Sequence, residues 1–141
     1  MFDDEELKPS VKVPCEMLVT YVLPTGKGAL AKELVNQHGL TQVEVSRLFG
    51  VTSAAISQYI KGTRGGNELI DKSAYKDDFY EFISILADEI MAGMQVAEAL
   101  CKLCEFAKEC GLIKALYVYE GYSPEQLPFL NGPNMVVIDK S

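Results

Sequence analysis

The chain has 141 residues, 48% of them hydrophobic and 23% charged, and its 13 Lys+Arg against 20 Asp+Glu give a formal charge of −7. That length means one domain, or one domain with a small appendage, and that composition supports a buried core and excludes wholesale disorder. The acidic balance excludes a nonspecific nucleic-acid coat, and the lack of ~18 consecutive apolar residues or of a basic stretch before an apolar one predicts a soluble, cytoplasmic protein without a membrane partner.

Residues 1–13 read as an acidic arm. From Pro14 the spacing of Cys15, Leu18, Val19 and Val22 is helical, with proline placed where a first turn tolerates it. Pro24, Gly26 and Gly28 predict a break, followed by a helix over about 29–38 that carries Leu30, Leu34 and Val35 and stops at Gly39. His38, next to that stop, is expected to satisfy a terminal carbonyl.

Residues 41–60 give the sharpest local signal. Thr41 and Glu44 have capping-box spacing, so a helix starts there and runs to Phe49, burying Val45 and Leu48. Gly50 supplies a tight turn. Thr52 then caps a second short helix that turns Ala55, Ile56, Tyr59 and Ile60 inward and closes at Gly62. Two short helices joined through a glycine turn make a helix-turn-helix.

Beyond the polar stretch 63–67, helices are expected over 77–92 and 94–110. Phe79, Phe82, Ile83, Leu86 and Ile90 stripe the first; Val96, Leu100, Leu103 and Ala107 stripe the second. In the tail, Ala115–Tyr119 and Met135–Asp139 have strand composition and flank turn residues, which predicts a small β hairpin. The expected fold is mainly α: an arm at 1–13, a DNA-binding domain at 14–66, a helical region for dimerisation and cysteine chemistry at 67–112, and a tail at 113–141.

Charge supports a local anionic partner. Residues 26–66 hold Lys27, Lys32, Arg47, Lys61 and Arg64 against only Glu33 and Glu44, while the flanking segments are net acidic. With Ile56 inward, a 100° advance per residue places Ala54, Ser57, Gln58 and Lys61 on the outer arc of the second helix. Small and polar groups there suit a helix seated in a major groove. Gln58 has the amide geometry for adenine, Ala54 the size for a thymine methyl, and Ser53 sits at the end that faces base edges. So few charges on that face make affinity depend on dimerisation, with the C-terminal helices as the place to pair.

The run LTQVEVSRLFGVTSAAISQYIKG, residues 40–62, resembles the helix-turn-helix of the phage repressor/Cro family (the xenobiotic-response-element, XRE, type) in length, Thr-Gln start, turn glycine and apolar spacing. The resemblance implies phosphate contact at Gln42, backbone contacts at Thr52, Lys61 and Arg64, and a double-stranded operator as partner. More loosely, a Pro-Cys helix before the motif and a cysteine-bearing helix after it look like a group of small archaeal predicted transcriptional regulators.

Cys101, Cys104 and Cys110 follow a C-x2-C-x5-C spacing, and Cys15 is the remaining candidate for a fourth ligand. Cys101 and Cys104 lie one turn apart, away from the core stripe in the case of Cys101, so both can reach one metal. Cys15 at a helix start is placed where a thiolate is favoured. One Cys-x-x-Cys with distant cysteines is compatible with an iron–sulfur cluster; zinc, which prefers two such knuckles, is the alternative, and packed inert thiols the third. A Cys101–Cys104 disulfide ranks last, because the bond is awkward inside a helix. In the archaeal regulators it resembles, a cluster would make the protein a redox or iron sensor. With one histidine, no phosphate loop and no paired-carboxylate motif, an enzyme is not expected. The rival readings are an antitoxin-like interaction module and a thiol- or metal-handling protein with structural zinc.

Overall fold

The computed structural model describes residues 10–62 and 67–133. Its helices are α1 (Pro14–Met17), continued by a π-helical segment (Leu18–Val22) into α2 (Leu23–Asn36), then α3 (Gln42–Phe49), α4 (Ser53–Lys61), α5 (Asn67–Asp71), α6 (Lys76–Met91), α7 (Val96–Cys110) and α8 (Leu112–Tyr119), with a 3-10 turn at Pro124–Gln126. No helix among the described residues is long and apolar enough to cross a membrane.

The expected break at Pro24 does not occur. The chain widens by one residue per turn just ahead of the proline, where the Leu23 amide donates to the Leu18 carbonyl five residues back. A wider turn makes room for a ring that would otherwise clash with the preceding turn. The Thr25 hydroxyl donates to the Tyr21 carbonyl at 2.8 Å, giving that carbonyl a partner.

The glycines in α2 serve packing instead of termination. A Cβ at Gly26 would stand 2.3 Å from Leu103 Cδ2 of α7, and one at Gly28 would stand 2.8 Å from the Tyr59 carbonyl oxygen of α4. α2 is therefore the axial helix, with α4, α6 and α7 packed around it. Leu30, Leu34, Ile56, Phe79, Ile83, Leu86, Leu103, Leu112 and Leu116 fill one continuous core between them. That core crosses every segment boundary drawn from sequence between residues 14 and 119.

The α6 and α7 stripes are inward as expected, and Phe82 stacks on Phe106 with ring centroids 4.9 Å apart. The C-terminal β hairpin is corrected: Ala115–Tyr119 belongs to α8, the described residues form no strand, and Met135–Asp139 lies outside them. Gly111, at φ 101°, turns the chain from α7 directly into α8. Residues 111–117, Lys114 included, are then buried without interruption, so no exposed polar face reveals the period of the run. Continuous apolar composition does not distinguish a buried helix from a strand.

The last residues of the arm are fastened to α8. Lys12 Nζ pairs with Glu120 Oε1 at 2.9 Å, the Tyr21 hydroxyl donates to Glu120 Oε2 at 2.7 Å, and the Tyr117 hydroxyl donates to the Lys12 carbonyl. Burial works against ionisation of Glu120, but the Lys12 and Tyr21 hydrogen bonds outweigh it and hold the carboxyl below its ordinary range. Burial, with the same carboxylate as hydrogen-bond partner, pushes the Tyr21 hydroxyl up to about 12.

Candidate nucleic-acid interface

The α3–α4 unit is built as its sequence predicts. The Thr41 hydroxyl accepts from the Glu44 amide at 3.1 Å while Glu44 Oε1 accepts from the Thr41 amide at 3.0 Å, a complete capping box. That hydrogen bonding holds the Glu44 carboxyl below its ordinary range. Gly50, at φ 68° and ψ 31°, closes α3 in the left-handed region where a side chain is strained. The Thr52 hydroxyl accepts from the Ala55 amide at 3.1 Å and starts α4, and Gly62, at φ 70°, ends it.

Ile56 and Tyr59 are buried and pin α4 to the core, which fixes its other face outward. Ser53, Ala54, Gln58 and Lys61 are exposed on that face and Ser57 is half-buried at its edge. Positions 54, 57, 58 and 61 follow a single helical stripe of small and polar groups. Thr52 and Gln42 are also exposed, at the starts of α4 and α3. Thus six of the eight residues read from sequence as DNA contacts are exposed on the α3–α4 unit and Ser57 is half-buried; the eighth, Arg64, lies outside the described residues.

Two expectations about neighbouring residues fail. Leu48 is 45% exposed although its spacing suggested core, because α2 and α4 already enclose Val45 and leave the next turn of α3 facing outward. His38 meets an acid instead of a carbonyl: its Nε2 lies 3.1 Å from Asp88 Oδ1 on α6. Sequence reasoning also gave no role to Lys27 and Arg47. Both border a hollow beside exposed Leu48, and the signal for them was only their membership of the basic block.

The helix-turn-helix family profile matches residues 32–65. This segment is a helix-turn-helix of the phage repressor/Cro type. No curated protein and no solved structure matches the chain. The helix-turn-helix supports a DNA-binding regulator.

The cysteines do not converge as a foursome. Cys15 and Cys101 are exposed and Cys104 is half-buried; burial, then the neighbouring Cys101 and, more weakly, Cys15, push the Cys104 thiol up. These three therefore share one neighbourhood, where α7 faces the start of the N-terminal helix. Cys110 lies about 9 Å further along α7 and about a third of a turn round from Cys104. It sits near Tyr75 and Asp78, with its thiol directed to the Ala107 carbonyl at 3.8 Å and pushed up by burial. Among the described residues no group of three or more His, Cys, Asp or Glu side chains is arranged to hold a metal ion. Four thiols of one chain in this arrangement do not fit a shared cluster or a four-thiolate zinc site.

Proposed function

We propose that this protein is a sequence-specific transcriptional regulator that binds operator DNA as a homodimer and has no enzymatic role. The observation that carries the reading is the outward stripe of exposed Ala54, Gln58 and Lys61 with half-buried Ser57 at its edge, on a helix capped at Thr52 and anchored by Ile56 and Tyr59. A helix presented in this way reads base edges from its N-terminal half, while its terminal amides and Lys61 hold phosphates. In a chain of net charge −7, one short reader with one described cation on its face binds a half-site weakly. Two copies on two half-sites supply the missing affinity.

Enrichment of bound duplexes from a random pool tests this reading. Recovery of a two-fold-symmetric sequence by a sedimenting dimer supports it; a monomer that enriches nothing at low salt overturns it in favour of an interaction module.

A response to redox state belongs to the same proposal and rests on Cys15, Cys101 and Cys104. Iron sensing through a cluster would need a further ligand from outside this neighbourhood, such as a second copy. Anaerobic purification with iron, sulfide and zinc quantified per chain separates the options. Iron with sulfide, lost in Cys101→Ser, supports sensing through a cluster; zinc alone supports a structural clasp; neither metal leaves thiol chemistry as the remaining route.

A further inference from the structure

We infer that the groove between α3 and the α6–α7 turn is a binding site for an amphipathic anion, a small carboxylate with an apolar tail. The groove encloses about 580 Å³ and continues past Ile90 into a second hollow of about 460 Å³ that shares Arg47 and Leu48. Its apolar wall is Leu48 and Phe49 from α3, Met94 from the turn, and Val96 and Leu100 from α7, and its lining also holds polar groups. This volume is that of a small-molecule pocket.

Two of the wall residues leave apolar surface in water inside the groove. Leu48 and Met91 are each 45% exposed and line the same hollow, whereas Val43 and Ile85, at least as exposed on the same helices, line neither hollow. Burying them against an alkyl chain recovers apolar area that folding alone leaves in water.

Charge selects the other end of the ligand. Lys27 and Arg47 line the larger hollow, and no acid does. Neither cation makes an ion pair with a described residue. The acid one turn before Arg47, Glu44, lines the second hollow and interacts weakly with Arg47, but its carboxylate is hydrogen-bonded in the Thr41 cap. Lys27 is half-buried on the axial helix. Two cations without a salt bridge at the rim of the larger hollow attract a carboxylate and repel an ammonium. The first turn of α7 lacks a side-chain cap and lies at the same rim, which adds positive potential without being a site in itself.

The groove's walls belong to the α3 arm of the reader and to the helical region behind it. A ligand lodged there joins α3 to α7 directly. The binding claim stands apart from the DNA-binding reading, because titration of the ligand needs no DNA.

Calorimetric titration of the full chain with decanoate, below its micellar range, tests the inference. Decanol and decylammonium carry the same tail with no charge and with the opposite charge. Decanoate is expected to bind at one per chain and at least tenfold more tightly than either. Arg47→Gln and Lys27→Gln should each weaken decanoate at least fivefold while leaving decanol unchanged. Ala97→Trp, which fills the groove from an exposed position, should abolish binding of all three while the circular dichroism spectrum stays native. Absence of decanoate binding to folded protein overturns the inference, as does equal affinity for decylammonium or unchanged binding by Ala97→Trp. If wild type binds no decanoate and Ala97→Trp turns a sedimenting dimer into a monomer, the groove is instead a contact between two copies.

Discussion

Replacing Gly28 with alanine tests the packing that presents the reading helix. The added Cβ would lie 2.8 Å from the Tyr59 carbonyl oxygen, a backbone atom in the last turns of α4. Ordinary contact starts at about 3.4 Å, so α2 and α4 must separate by roughly half an ångström; overpacking of this kind costs about 1–3 kcal/mol. Alanine returns up to about 1 kcal/mol through its better helix propensity. Because the obstructing atom is backbone and has no rotamer to change, the upper part of the range applies, and a net loss of ~1–2 kcal/mol is expected. In urea melts the midpoint should fall with an unchanged slope, and the thermal midpoint should fall by roughly 3–8 °C. DNA binding should weaken more than in Gly26→Ala, whose Cβ meets the Leu103 side chain on α7 and leaves α4 in place. A Gly28→Ala variant as stable as wild type, or more so, would refute the close approach of α2 to α4.

Thr41→Ala removes the cap of α3 and should cost ~1 kcal/mol in urea melts. The Glu44 carboxyl is held below its ordinary range, so its contribution is present above the unfolded value near 4.5 and fades as pH falls through the lowered folded value; the wild-type midpoint should drop in that acid window more than that of Glu44→Gln. Leu48→Ala should change stability by less than ~0.5 kcal/mol, because the side chain is largely exposed, whereas Ile56→Ala should cost ~2–5 kcal/mol; equal losses in calorimetric melts would contradict the outward placement of Leu48. Burial and the Glu120 hydrogen bond push the Tyr21 hydroxyl up to about 12, so the stabilisation from that hydrogen bond is full below the unfolded value near 10 and is lost as pH rises through the raised folded value. Ultraviolet titration of Tyr21→Phe should accordingly lack one late-ionising tyrosine while keeping the latest, Tyr80, whose hydroxyl burial and the Asp71 hydrogen bond push higher still; loss of an early one instead would contradict the assignment.

The parts of this fold legible in sequence are those fixed by local chemistry. Thr41, Glu44, Gly50, Thr52 and Gly62 each act through backbone groups within a few residues, and each acts as read. The outward face of α4 was legible for a related reason, since Ile56 and Tyr59 alone set the helix phase. What sequence hid depends on partners distant in the chain. Gly26 and Gly28 read as breakers because their function is to admit Leu103 and Tyr59, which lie over 30 residues away. Pro24 read as a stop because a widened turn ahead of it has no sequence signature. Ala115–Tyr119 read as a strand because burial on every side erases the helical period. The convergence of Cys15 with Cys104, and the separation of Cys110 from both, follow from where the N-terminal helix meets α7 and are invisible in the C-x2-C-x5-C spacing.

The most direct test of the central claim is selection of duplexes from a random pool by wild type and by a Ser57→Ala, Gln58→Ala double variant, at matched low salt. The account predicts that wild type enriches a defined motif, while the folded double variant keeps salt-dependent affinity but loses base preference at the positions its helix covers. Enrichment of the same motif by both proteins would contradict the placement of α4 in the groove, and retention of no duplex by folded wild type would contradict DNA binding itself.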